Sequence, residues 1–168
     1  MLEALYYFLP VFMANGAPPL VAKLSFLNRP INKKLFGENK TVRGFVFACI
    51  FGTLTFFIQT LLYKYPGIQS ISLIDYSGTT LWLGFLLSFG AISGDLIESY
   101  FKRKMRIKPG RPWIPFDQTD FVIGAFLFSF FIFIPNIKII ITIVICSMVL
   151  TMISHYLGYL LGINKDKI

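Results

Sequence analysis

The residues with the most chemistry in them stand between positions 94 and 120, in the segment GDLIESYFKRKMRIKPGRPWIPFDQTD. This segment holds four of the eight carboxylates of the chain, Asp95, Glu98, Asp117 and Asp120. It also holds six of the sixteen basic residues, Lys102, Arg103, Lys104, Arg106, Lys108 and Arg111. Asp95, Glu98 and Ser99 are spaced i, i+3, i+4, and Lys102 and Arg103 follow at i+7 and i+8. On a helix these five side chains share one face, which runs from carboxylates to cations. Asp117 and Asp120 are again i, i+3 and converge if they open a helix, although Asp117 could equally be its cap. Carboxylate oxygens suit Mg²⁺, which is commonly held by one or two carboxylates together with substrate phosphates and water. The basic residues cannot all serve as ligands, and their use would be to neutralise a polyphosphate. The spacing therefore predicts a metal at Asp95, Asp117 and Asp120, with one ion or a second cation beside it left open. The six basic residues, Lys108 among them, would face a polyphosphate, with Glu98 and Ser99 on the helix face that Lys102 and Arg103 continue.

The elements that must position these residues are membrane helices. The chain of 168 residues is 55% hydrophobic and only 14% charged, with a mean hydropathy of +0.68. Soluble domains carry about 25% charged residues. Charges in such a chain are expensive and mark a site by default. A spanning helix needs about 20 mostly apolar residues, and five segments qualify: residues 2–24, 44–63, 79–101, 121–134 and 137–163. The fourth is short unless its helix begins earlier. The expected fold is an all-α integral membrane protein, one polytopic domain over residues 1–168, with two basic loops forming the site.

Fourteen of the sixteen basic residues fall in residues 23–43, residues 102–120 and the tail, and only Lys64 and Lys138 lie on the other side. The positive-inside rule makes the basic side cytoplasmic, with the N-terminus outside and the C-terminus inside. The +8 net charge is thus a matter of topology and anionic ligands. Nucleic-acid binding is set aside, because the cations lie between apolar spans. Asn15, Gly16, Ala17, Pro18 and Pro19 interrupt the first span, since proline removes a donor and crowds the preceding turn. A break at membrane depth either lines a wet cavity or is a plain kink, and both readings stand. If it lines the site, Asn15 contacts a nucleotide. The segment GENKTVRG, residues 37–44, leads into the second span with Lys40, Thr41 and Arg43. Such a loop can bind phosphate or a lipid head group through backbone N–H groups and cations. It lacks P-loop spacing, and basic topology anchors explain it as well.

GDLxESxxKR, then KPG, then PxDQxDF resembles the CDP-archaeol synthases, short archaeal members of the CDP-diacylglycerol synthase superfamily. The early Asn-to-Pro break and the GxxKTxRG loop are similar to that family too. Bacterial and eukaryotic relatives have S-x-x-K-R, a PGHGG segment and D-R-x-D. Here Ser99, Lys102 and Arg103 match the first of these, and Asp117 and Asp120 the last. PGHGG is missing, with Arg111-Pro112-Trp113-Ile114-Pro115 near its place, and Gln118 follows Asp117 where those relatives have Arg. The resemblance implies a Mg²⁺-dependent cytidylyltransferase of the cell membrane. It would join CTP to a digeranylgeranyl glycerol phosphate, giving a CDP-lipid and pyrophosphate. Two other functions would use similar parts. A CTP-dependent polyprenol kinase would release CDP, and a small anion transporter would cleave nothing. Against transport, the charge lies at one membrane face and no inverted repeat is present.

Overall fold

The computed structural model describes residues 1–107, 111 and 113–160. The chain is helical: α1 Leu2–Leu20, α2 Lys33–Phe36, α3 Val42–Leu62, α4 Pro66–Gln69, α5 Leu81–Lys104, α6 Asp120–Ser129 and α7 Ile137–Leu160. A 3₁₀ turn, Phe116–Gln118, leads into α6, and no strand occurs among the described residues. Three helices are long and apolar enough to cross a membrane: Val42–Leu62, Leu81–Lys104 and Ile137–Ser154. The other two expected spans exist as helices but differ in character. In α1, Glu3, Asn15 and three prolines dilute the apolar run. In α6 there are only ten residues, about 15 Å at helical rise against a hydrocarbon core of about 30 Å.

The expected continuation of the fourth span to residue 134 does not occur. α6 stops at Ser129, whose carbonyl accepts the N–H groups of Ile132 and Phe133 in a tight turn. Pro135 disfavours helical backbone at the residue before it. The irregular segment is kept tolerable by packing: Phe130 lies 5.5 Å from Phe126, and Phe133 lies 5.5 Å from Tyr7. The end expected for the last span, residue 163, lies outside the described residues.

The expected break at residues 15–19 is a second difference. The α1 helix runs through them to Leu20 and ends just after. Pro18 and Pro19 forfeit donors to the carbonyls of Ala14 and Asn15, but their fixed φ is helical, so the helix ends at the prolines without being cut by them. Pro10 does the same in mid-helix, freeing the carbonyl of Tyr6, and there the repair is visible. Gln59 of α3, 2% exposed, donates its Nε2 to that carbonyl at 2.5 Å.

α5 and α6 pack most extensively against each other. Gly90 and Gly94, one turn apart on α5, meet Gly124 of α6. A Cβ on Gly94 would run into the carbonyl oxygen of Asp120, and one on Gly90 would stand 2.9 Å from Ala125 Cα. Small residues at this spacing let helix backbones approach closely in membranes. That approach sets the start of α6 beside the carboxylate-bearing turns of α5. The core around it is apolar, with Phe8, Val11, Leu83, Leu87, Phe121 and Val122 all buried.

Candidate active site

One end of the bundle collects the C-terminal ends of α1 and α5 and the N-terminal ends of α3 and α6. The approach to α3 is tied down first. Gly37, at φ +90, turns the chain out of α2, and Asn32 caps that helix through the N–H groups of Lys34 and Leu35. The N–H of Ile31 donates to the carbonyl of Lys40 at 2.8 Å, and that of Val42 to Arg29 at 3.0 Å. The Arg43 N–H donates to Leu27 at 3.1 Å, and that of Gly44 to Thr41 Oγ1 at 3.1 Å. The amides of Val42, Arg43 and Gly44 are therefore consumed within the fold. The expectation that this loop offers backbone N–H groups to phosphate does not hold for them. The Arg43 side chain is also turned inward: it is 4% exposed and its guanidinium donates to the Leu24 carbonyl. What the loop does deliver is Lys40.

The Lys40 ammonium meets both oxygens of Asp95, at 2.5 and 2.6 Å. Asp95, Glu98 and Asp120 each offer an oxygen within 4.8 Å of the others. On the far side of Glu98 lies Lys102, 2.5 Å from Asp117 Oδ1 and 3.1 Å from Glu98 Oε1. Asp117 Oδ2 also accepts the backbone N–H of Trp113 at 2.7 Å, which folds the approach to the 3₁₀ turn back onto this carboxylate. Burial pushes the Asp117 carboxyl up. Hydrogen bonding with Glu98, Lys102 and the Trp113 amide outweighs it and holds the group below its ordinary value.

The structure thus brings Asp95 and Asp120 together, with Glu98 as their third partner. Asp117 stands one step away, paired with Lys102. Lys102 and Ser99 are nearly buried, at 9% and 5% exposed. Arg103 is half-buried, and its Nε has no hydrogen-bond partner among the described residues. Lys108 lies outside the described residues, as do Pro109, Gly110 and Pro112. Asn15 lines a cavity of about 170 Å³ with Pro18, Asn39, Lys40, Thr41 and Asp95. The rings of Trp113 and Phe116 pack 4.4 Å apart on the Asp117 turn. The Gly90-to-Gly94 pair was the overlooked functional signal. Its four-residue small-to-small spacing is readable in the sequence and is what lets Asp95 meet Asp120.

The donor set fits a hard divalent cation. It contains only carboxylate oxygens, as Mg²⁺ prefers. Four carboxylates against two ammonium groups also leave a formal charge of −2, which one such ion balances.

Fold and centre together describe a helical membrane protein whose charged side chains are gathered at one end of the bundle. Comparison with known proteins supplies the family. A family model, CarS-like CDP-archaeol synthase, matches residues 1–167, and the chain belongs to that family of nucleotidyltransferases. The CDP-archaeol synthase of Methanocaldococcus jannaschii is 33% identical, over 98% of this chain and 95% of its own. That of Thermococcus kodakarensis is 32% identical over 95% and 91%, and that of Methanococcoides burtonii 35% over 80% and 82%. The fold is that of a solved structure described as an intramembrane enzyme for archaeal membrane lipids biosynthesis. The TM-score is 0.73 at 22% identity, over 92% of this chain and 93% of that one.

Proposed function

We propose that the chain transfers the cytidylyl group of CTP to an isoprenoid glycerol phosphate, of the digeranylgeranyl type, releasing pyrophosphate. The observation that carries this reading is the convergence of Asp95, Glu98 and Asp120 beside a cavity that Lys40 and Asn15 help to line. A phosphate oxygen of the lipid attacks the α-phosphorus of CTP. The new P–O bond forms as the bond to the β-phosphate oxygen breaks. The attacking oxygen is already anionic near neutral pH, so no general base is needed. The task left to the protein is to hold two anions together and to stabilise the departing charge.

Asp95, Glu98 and Asp120 would hold Mg²⁺, with Asp117 next to them. When bound, such an ion supplies Lewis-acid neutralisation of phosphate oxygens. Lys40 and Asn15 both line the cavity, where Lys40 would meet phosphate and Asn15 would touch the nucleotide. Arg103 and Lys108 would add positive charge for the triphosphate. Lys102 keeps Glu98 and Asp117 in register, and Ser99 borders them on α5. Arg43 supports the loop that carries Lys40. The excess of basic residues on this side favours a centre at the cytoplasmic face, with the N-terminus outside.

The test uses purified protein in detergent with Mg²⁺, CTP labelled at its α-phosphate and digeranylgeranyl glycerol phosphate. Label should pass into the lipid phase. Labelled CDP in water with no labelled lipid would replace this reading with a kinase, and intact CTP over folded protein would leave transport.

A further inference from the structure

The two lysines of the centre are not equivalent, and the difference bears on how the proposed metal and nucleotide arrive. Lys102 is gripped between Glu98 and Asp117, with its side chain 11% exposed. Lys40 is 26% exposed, has Asp95 as its partner, and lines the cavity together with it. Glu98 and Asp120 are not cavity-lining residues and stand beyond Asp95. Of the charged residues of the centre, Lys40 and Asp95 line the cavity among the described residues, so Lys40 is the cation that an anion in the cavity meets.

Lys40 engages both oxygens of Asp95 at once. These are the oxygens that a hard cation among Asp95, Glu98 and Asp120 would draw on. An ammonium and a divalent ion at one carboxylate compete by charge repulsion and for lone pairs. A phosphate in the cavity offers the ammonium an acceptor of equal or greater charge within reach of its flexible stem. Moving to it frees Asp95.

We propose that Lys40 couples the two ligands: it competes with a divalent cation for Asp95 and releases it when a polyphosphate in the cavity takes its ammonium. This rests on the cytidylyltransferase reading. Lys40 is in this sense a positioning residue. By linkage the effect is reciprocal, so each ligand raises affinity for the other.

The experiment measures Mn²⁺ alone, without nucleotide, as a spin probe on detergent-solubilised full chain. Lys40→Met should bind Mn²⁺ about tenfold tighter than wild type, a typical size for coupled sites. Lys33→Met, at an exposed lysine of the neighbouring α2, should bind as wild type. In wild type, amine labelling followed by mass spectrometry should show Lys40 protected without Mn²⁺ and reactive with it. In Asp95→Asn, Lys40 should react at either condition. The labelling arm needs no Lys40 variant to fold. Equal or weaker Mn²⁺ binding by folded Lys40→Met would overturn the proposal. So would Lys40 labelling that stays constant while Mn²⁺ binds, or the absence of Mn²⁺ binding to both proteins. Cytidylyl transfer is measured separately, so lipid labelling can persist while the coupling fails.

Discussion

The two ends of the bundle both bury polar groups, and they do so differently. At the end where α3 and α6 begin, charged groups from distant parts of the chain come together, and three of the four carboxylates are paired: Asp95 with Lys40, and Glu98 and Asp117 with Lys102. At the other end the polar groups are neutral. The hydroxyls of Tyr6, Tyr7 and Tyr76 are buried with no hydrogen-bond partner among the described residues, and Gln59 serves to repair the gap left by Pro10. A neutral hydroxyl without a partner costs about 1–3 kcal/mol, which a ring packed on its neighbours can outweigh. Four carboxylates cannot be kept in an apolar chain on those terms. They persist where opposite charge is supplied, and here a formal −2 remains for a ligand to meet. Charge at depth therefore marks chemistry in this molecule, and neutral polarity at depth marks construction.

The largest test of that contrast is Asp120→Asn. It keeps shape and removes one of the carboxylates crowded with Asp95 and Glu98. Turnover should fall by about 10²–10³, as when a single electrostatic contact is removed from other enzymes. Thermal stability in detergent should be unchanged or higher, because like-charge repulsion is relieved. A loss of stability parallel to the loss of turnover would make Asp120 a structural residue and dissolve the distinction between the two ends.

Gly94→Ala comes next. Its methyl group would press on the carbonyl of Asp120 and push the start of α6 away from α5. Overpacking costs about 1–3 kcal/mol, and a displacement of about 1 Å at a reacting centre can lower rate by about 10²-fold. Turnover should therefore drop by about tenfold to a hundredfold, with a moderate fall in melting temperature. Gly78→Ala, with open space around it, should change neither. If Gly94→Ala melts early but turns over normally per folded molecule, the helix crossing is not what sets the carboxylate geometry.

Much of the charged end was legible before the structure, and for a physical reason. Helical spacing alone puts Asp95, Glu98 and Lys102 on one face, and α5 carries them so. Membrane class and the side on which both basic loops meet followed from hydropathy and charge. What spacing could not tell was pairing in three dimensions. Whether Lys102 takes a phosphate or two carboxylates depends on where the chain returns at Asp117. Whether Arg43 faces a ligand or the Leu24 carbonyl depends on the path of residues 24–31. The prolines within residues 15–19 misled because the effect of a proline depends on its position. At residues 18 and 19 they coincide with a helix end, and at residue 10 a side chain from another helix makes good the missing bond. The stop at Ser129 is closed by its own carbonyl accepting the N–H groups of Ile132 and Phe133, a turn that spacing does not announce.

That repair gives the third prediction. Gln59→Leu removes the only side-chain donor to the Tyr6 carbonyl among the described residues. It should cost about 1–3 kcal/mol, the penalty of a stranded buried acceptor, seen as a lower melting temperature in detergent. Turnover per folded molecule should be unaffected, since Gln59 stands at the end of α3 remote from Lys40. A change in turnover at constant stability would mean that the two ends communicate.

The smallest effect is expected at Tyr76→Phe. The ring is 1% exposed and packs against Phe56 at 5.3 Å and against Tyr6 and Tyr63 at 5.8 Å each. Its hydroxyl has no hydrogen-bond partner among the described residues. Phenylalanine keeps the packing and removes a polar atom whose burial is uncompensated, so stability should be unchanged or slightly higher. A clear destabilisation would show that the hydroxyl is satisfied by ordered water, which typically makes about three hydrogen bonds when buried. The far end would then hold a polar network of its own. Neutral polarity at depth would there be a hydrated site, and the contrast with the charged end would narrow to the sign and magnitude of charge.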